Sequence, residues 1–136
     1  MASSLHIDRA FGWGLLLVMD KDSPEVPQLS NALVSASSSG LAIKVHHAAD
    51  VDVSGYSDDE VIPPARVKVD VRVGPSAPEE VLYRGSLEVP SGVITVGDAD
   101  QEDRLEVEPG RWDVQVICSP ADEHADQVSM WLQRSP

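Results

Sequence analysis

The run from Gly97 to Asp103 holds the closest spacing of residues that could bind a metal ion. Its carboxylates Asp98, Asp100 and Asp103 are separated by other residues, and oxygen ligands spaced in this way can converge on calcium. The helix-loop-helix calcium motif also requires a glycine at the sixth loop position and a glutamate at the twelfth, where Pro109 stands instead. The run therefore matches the calcium motif only in part, and a solvated hairpin loop is the competing interpretation.

Histidines offer a second kind of metal or catalytic chemistry. His46 and His47 are neighbours on a predicted strand, so their side chains point to opposite faces and cannot together hold one ion. His124 lies in the acidic segment 122–126, where a surface histidine is a simpler interpretation than a zinc ligand. We predict no metal and no cofactor.

Enzymatic signatures are missing from the sequence. No serine stands in a nucleophile elbow, no glycine-rich phosphate loop occurs, and the carboxylates show no pattern specific for a glycosidase pair. The single cysteine, Cys118, falls on the apolar face of a predicted strand, which indicates a buried and unreactive thiol. We predict that the protein is not an enzyme.

The acidic side chains predict a surface for a partner. The net charge of −13 excludes proteins that hold nucleic acid through its phosphates and favours a basic protein partner. Between Asp98 and Asp126 the chain carries ten acidic residues and only two arginines. The predicted partner-binding residues are Asp98, Asp100, Glu102, Asp103, Asp122, Glu123 and Asp126. Trp131 and Tyr83 are candidate apolar anchors, and acidity that serves only solubility is the alternative.

Strands must position these residues, and the clearest lies between Glu108 and Cys118. After the turn Pro109-Gly110, apolar and polar residues alternate there as in a strand with one buried face. Similar patterns predict further strands at 12–20, 41–46, 66–73, 81–89, 93–96, 105–107 and 127–133. Of these, 12–20 contains the continuous apolar run Leu15 to Met19, which predicts burial on both faces, whereas 66–73 alternates and predicts an antiparallel strand.

Three segments depart from this pattern. Apolar residues recur every three or four positions from Glu25 to Ala36, which predicts at most one short helix, or a turn, lying over the sheet. His47 to Pro64 predicts a long, exposed acidic connection, and Met1 to Ala10 predicts either a frayed leader or an edge strand. The whole chain, 1–136, is predicted to be one all-β domain, an antiparallel β-sandwich of eight or nine short strands.

Cysteine use and hydropathy predict a cytoplasmic location. One cysteine allows no internal disulfide, and no apolar stretch approaches the length of a membrane span, about 20 residues. Phe11 to Met19 is apolar, but Asp20-Lys21-Asp22 follows it without a small-residue cleavage site, so we do not expect a signal peptide.

The C-terminal third resembles a known family. The run from Leu105 to Val116, Leu-Glu-Val-Glu-Pro-Gly-Arg-Trp-Asp-Val-Gln-Val, followed by 120–126 and a final alternating strand, is similar to the competence protein J family. Asp20-Lys21-Asp22-Ser23-Pro24 resembles a segment near the N-terminus of that family. The family includes the inhibitor of a DNA-entry nuclease in naturally competent bacteria.

The resemblance implies a bacterial, non-enzymatic protein that binds and silences a nuclease. It assigns no inhibitory residues to this chain. Two alternatives stay open from the residues: a β domain that binds calcium or a small ligand, and a structural or immunity-type interaction protein whose target is not a nuclease.

Overall fold

The protein is a two-sheet β-sandwich, which we describe from a computed structural model that covers residues 4–24, 26–74 and 81–135. Within these ranges the strands are β1 (Ser4–Arg9), β2 (Leu15–Asp20), β3 (Val34–Ser37), β4 (Gly40–Lys44), β5 (Val67–Val73), β6 (Tyr83–Val89), β7 (Val93–Gly97), β8 (Glu102–Glu106), β9 (Gly110–Ser119) and β10 (Gln127–Arg134). The predicted all-β sandwich is confirmed, and the described residues contain no helix, including none that is long and apolar enough to cross a membrane.

Two five-stranded sheets form the layers. Sheet A has the order β1-β5-β10-β9-β6, and sheet B has the order β3-β4-β2-β7-β8. All pairs are antiparallel except β5 with β10, which run parallel. The predicted antiparallel pairing of β5 is therefore confirmed for its neighbour β1 and wrong for its neighbour β10. Strand alternation shows which face is buried, but it does not reveal a pairing with a strand about 60 residues away.

The core lies between the sheets and is built from the inward side chains of both. Val114, Val116 and Cys118 of β9 pack there with Leu16 and Val18 of β2. Aliphatic residues provide most of this interior, and close packing of β-branched side chains suits a pleated surface. The predicted pattern of β9 is confirmed in full, since its inward residues are buried and its outward residues are exposed or half-buried.

Burial also fixes the chemistry of Cys118. The thiol is free and buried, and its burial raises the pKa from 9.0 to about 11. A thiol with this pKa is neutral at physiological pH, so the prediction of an unreactive cysteine is supported by its surroundings.

Of the two alternatives predicted for 25–36, a short helix or a turn, the described residues 26–36 do not form the helix. Residues 26–33 adopt neither helix nor strand, and Val34–Ser37 forms β3, which pairs with β4. The Ser30 hydroxyl accepts a hydrogen bond from the Ala32 amide at 3.1 Å, a local bond that competes with helical pairing. A short helix would gain little against the cost of its nucleation, whereas β3 gains a ladder of bonds to an existing sheet.

Two smaller expectations are also settled, and Gly85 of β6 has a packing role. Ser4–Arg9 forms the edge strand β1, while residues 1–3 lie outside the described ranges. β2 is fully buried only on alternate residues, so its outer face is half-exposed instead of buried. Gly85 causes no break in the pairing of β6 with β9; the phenol ring of Tyr83 occupies the space where a side chain at Gly85 would lie.

Candidate protein-binding surface

Four connections meet at one end of the sandwich. The strand pairings place the ends of β1, β4, β7 and β9 beside the starts of β2, β5, β8 and β10. The loops that join them are 10–14, 45–66, 98–101 and 120–126. A backbone hydrogen bond from the His46 amide to the Ala125 carbonyl, at 2.9 Å, shows that the two sheets meet here. We call these four loops the acidic end.

Charge is strongly biased at this end. The four loops, all of them described by the structure, contain ten aspartates and glutamates and one arginine. Nine of the ten carboxylates are exposed: Asp50, Asp52, Asp58, Asp59, Glu60, Asp100, Asp122, Glu123 and Asp126. Such a concentration of one sign produces a local potential that attracts cations and basic proteins.

Several of the predicted partner-binding residues lie at the acidic end. Asp100 comes from loop 98–101, whereas Asp122, Glu123 and Asp126 come from loop 120–126, and the fold brings the two loops to the same end. Glu102 is exposed at the start of β8, and Asp103 beside it is half-buried. Whether these residues contact a partner stays a prediction.

Five of the nine exposed carboxylates were not among the predicted partner-binding residues. Loop 45–66 contributes Asp50, Asp52, Asp58, Asp59 and Glu60, and its backbone is closed at the base by a bond from the Ala65 amide to the Ala48 carbonyl, at 2.9 Å. Its acidity was visible in the sequence. Its position beside loop 120–126 depends on long-range pairing between strands, which local patterns do not encode.

Asp98 has a structural role instead of an exposed one. Its side chain is only 2% exposed and lies 3.4 Å from an Arg9 guanidinium nitrogen. The same carboxylate oxygen accepts hydrogen bonds from the amides of Asp100 and Gln101, each at 3.1 Å. Arg9 also donates to the Gln101 carbonyl, so this cluster fastens the β7–β8 hairpin to β1.

This use of Asp98 bears directly on the calcium interpretation. An oxygen that accepts bonds from two amides and faces a guanidinium is poorly placed to ligate a cation. Asp98, Asp100 and Asp103 form no cluster suited to a metal, and no group of three or more histidine, cysteine, aspartate or glutamate residues in the described ranges could hold one. The geometry therefore favours the hairpin-loop interpretation.

Side-chain contacts also hold the acidic loops together. His46 donates to the Asp50 carbonyl at 2.6 Å, and the Asp50 carboxylate lies 3.2 Å from Nδ1 of His124. The rings of His46 and His124 meet edge to face, with centroids 6.0 Å apart. Loops 45–66 and 120–126 thus form one continuous surface.

Trp13 is an exposed tryptophan that the sequence interpretation did not select as a candidate anchor. It stands at the tip of loop 10–14 and is 63% exposed, whereas Trp112 and Trp131 are each 6% exposed. The candidate anchor Trp131 is buried although it lies on the outward side of β10, where the Arg72 guanidinium covers its ring at 5.7 Å. Tyr83, the other candidate, packs against the core.

The turn that carries Trp13 is well defined. Phe11 is fully buried, and its carbonyl accepts hydrogen bonds from the amides of Gly14, at 3.2 Å, and Ala48, at 3.0 Å. Gly14 has a φ of 66°, a left-handed conformation that glycine adopts without strain. The indole is therefore exposed on a backbone that is fixed on both sides.

A pocket of about 370 Å³ opens beside this indole. Its lining includes the apolar residues Trp13, Leu15 and Leu29 and the acidic residues Asp50 and Glu123. Lys44, His47 and His124 also line it. The acidic end thus combines an exposed aromatic residue, a concave apolar surface and negative charge, which are the features of a protein-binding hot spot.

The fold and this surface define the protein as a two-sheet β-sandwich with one acidic, aromatic-bearing end. No protein-family model and no curated protein matches the chain. Among solved structures it is similar to ComJ from Bacillus subtilis, inhibitor of the DNA-degrading activity of NucA, with a TM-score of 0.65 and 12% identity over 99% of each chain.

A second solved structure shares the architecture. The product of crocagin biosynthetic gene J has a TM-score of 0.55 and 14% identity, with 100% of each chain covered. Both similarities concern the fold. The fold similarity to ComJ covers 99% of the chain, whereas the sequence resemblance described above lies mainly in the C-terminal third.

Proposed function

We propose that this protein is a non-enzymatic inhibitor that docks through its acidic end on a basic protein, a nuclease, and blocks access of DNA. The observation that carries the proposal is the gathering of nine exposed carboxylates at one end of a fold similar to that of ComJ. We also propose a cytoplasmic location, in keeping with the single buried thiol.

Electrostatics gives this proposal its mechanism. A nuclease must attract phosphates, so the groove that binds DNA carries positive charge. A protein with clustered carboxylates can enter the same field, approach rapidly and exclude DNA from the groove. Because exposed ion pairs contribute little affinity individually, the lasting contacts must come from apolar anchors within the charged surface.

The carboxylates at the acidic end would then act as a group. Asp100, Glu102, Asp122, Glu123 and Asp126 keep the role predicted for them from the sequence. The exposed acids of loop 45–66 join them, whereas Asp98 supports the hairpin on which Asp100 stands.

The test compares two variants of equal net charge. Asp100→Asn/Glu123→Gln/Asp126→Asn neutralises three carboxylates of the acidic end, and Asp22→Asn/Glu88→Gln/Glu106→Gln neutralises three exposed carboxylates elsewhere. A nuclease retained from the source lysate on immobilised protein, eluted with salt and purified, serves as the target in a DNA-cleavage assay.

Wild type and the second variant should inhibit cleavage equally. The acidic-end variant should inhibit about 30-fold less well, since three partly screened pairs together contribute about 2 kcal/mol. Undiminished cleavage at low salt in the presence of wild type, or equal inhibition by both variants, would contradict the proposal.

A further inference from the structure

The pocket beside Trp13 combines groups that recognise a particular side chain. An exposed indole face attracts cations, and the planar guanidinium of arginine stacks on it more readily than an ammonium does. Asp50 and Glu123 also line the pocket, and their carboxylates, 3.2 and 3.7 Å from the ring nitrogens of His124, can accept the hydrogen bonds that a guanidinium donates.

Lys44 indicates that the occupant carries an acceptor as well as a cation. Lys44 lines the same pocket, and its positive charge would repel an isolated cation. An arginine within a polypeptide also presents a backbone carbonyl, which an ammonium can donate to. The lining therefore suits a peptide-borne arginine better than a metal ion or a free amine.

The pocket is built before any partner arrives. Hydrogen bonds of the Phe11 carbonyl fix the turn below Trp13, and the His124 ring holds Asp50 at 3.2 Å. A side chain entering such a site orders few groups on this protein, so that less affinity is lost to conformational entropy.

We propose that this pocket receives an arginine side chain of the basic partner and anchors the complex. The proposal rests on the function proposed above and names the contact that fixes the position of the partner. Asp50 and Glu123 face the guanidinium, Trp13 stacks on it, and the other exposed carboxylates of the acidic end surround the contact and speed the encounter.

The first experiment tests the pocket without a nuclease. The acetylated tripeptide amide Gly-Arg-Gly is titrated into the labelled protein while the indole N–H resonance of Trp13 is followed by NMR. A saturable shift is expected, with a Kd of about 1 mM, a reasonable value for one side chain. The same tripeptide with citrulline, which is uncharged and nearly isosteric, should cause no saturable shift.

Two double variants locate the binding site. Asp50→Asn/Glu123→Gln should weaken tripeptide binding at least 10-fold. Asp58→Asn/Asp59→Asn removes two exposed charges from the same end but outside the pocket, and should change the Kd less than 2-fold. Equal weakening by the two variants, or equal binding of the citrulline peptide, would overturn the arginine assignment.

The second experiment uses the nuclease. Trp13→Ala should weaken inhibition about 100-fold, as expected for a central aromatic hot spot. Val61→Ala is the matched control, since Val61 is 92% exposed at the same end and does not line the pocket. Both variants should keep the wild-type melting temperature.

The outcomes separate the two proposals. If wild type inhibits the nuclease, and Trp13→Ala inhibits it to the same extent as Val61→Ala, the pocket proposal fails and the inhibitor function stands. If wild type inhibits no nuclease while the tripeptide binds as described, the nuclease target fails and the arginine pocket stands.

Discussion

The two ends of the sandwich use the same residue types for opposite purposes. At the acidic end, long loops leave nine carboxylates exposed. At the opposite end, which contains the turns 38–39, 90–92 and 107–109, the connections are short and Asp20 is buried. There the Asp20 carboxylate accepts bonds from the Asp22 amide at 3.0 Å, the Ser91 amide at 3.1 Å and the Ser91 hydroxyl at 2.6 Å.

This contrast shows that an aspartate contributes to folding or to binding according to what its oxygens meet. The carboxylate of Asp20 accepts hydrogen bonds from amides and a hydroxyl, which stabilise its charge. These bonds join β2 to the turn before β7. Asp59 is exposed to water, so its charge remains available to a partner. The position of an aspartate in the fold does not by itself decide whether its charge is exposed. Asp98 lies at the acidic end, and yet its carboxylate supports a hairpin.

The largest effect on folding is expected from Asp20→Ala. This change removes the acceptor of three hydrogen bonds and leaves the Ser91 amide and hydroxyl without it. Hydrogen bonds to a charged group contribute about 1.5–3 kcal/mol each, with incomplete additivity, so the free energy of unfolding should fall by about 3 kcal/mol. Urea denaturation followed by tryptophan fluorescence measures it.

Asp59→Ala is the matched control at the acidic end and should change the free energy of unfolding by less than about 0.5 kcal/mol. Equal destabilisation by the two substitutions would remove the distinction between the two ends.

Periodic segments explain why much of the fold was predictable. In β9 and β5 each second residue is apolar, and this pattern both identifies the strand and selects its buried face. The failure at Val34–Ser37 has a physical cause. A short segment with spaced apolar residues satisfies helix and strand patterns alike, and only the presence of β4 as a neighbour decides between them.

The candidate site was less predictable because it depends on contacts between distant segments. Acidity identified Asp122 and Glu123, but nothing local indicated that loop 45–66 lies beside them. Trp13 could have been singled out by its place between Gly12 and Gly14, since an aromatic residue flanked by glycines indicates a turn tip. The apolar run that follows it drew attention to β2 instead.

The ionisation of Cys118 reports how well the acidic loops exclude water from the core beneath them. The thiol lies near the end of β9, next to loop 120–126, and burial raises its pKa from 9.0 to about 11. In the unfolded chain it ionises near pH 9, so ionisation favours unfolding at higher pH. The stabilisation is complete below pH 9, is lost as the pH rises to about 11, and amounts to about 2.7 kcal/mol.

Comparison with Cys118→Val isolates this contribution from other groups that titrate at high pH. The free energy of unfolding of wild type should fall more steeply than that of the variant between pH 9 and 11. Parallel curves, or rapid reaction of the native thiol with an alkylating reagent at pH 8, would show that the acidic loops open often enough to admit water.

The smallest effect on stability concerns the presentation of Trp13. Gly14→Ala places a side chain at a φ of 66°, with its Cβ 3.3 Å from the His47 ring, and should lower the free energy of unfolding by about 1 kcal/mol. Gly12→Ala, on the other side of Trp13, meets only an ordinary contact of 3.5 Å with Asp100 and should be neutral. Thermal unfolding of the two variants measures the difference.

If the turn fixes the indole for binding, Gly14→Ala should also raise the Kd of the arginine tripeptide several-fold, whereas Gly12→Ala should not. Equal tripeptide affinities would mean that the indole binds without help from its turn, and that rigidity at the acidic end serves folding alone, as it does at the opposite end.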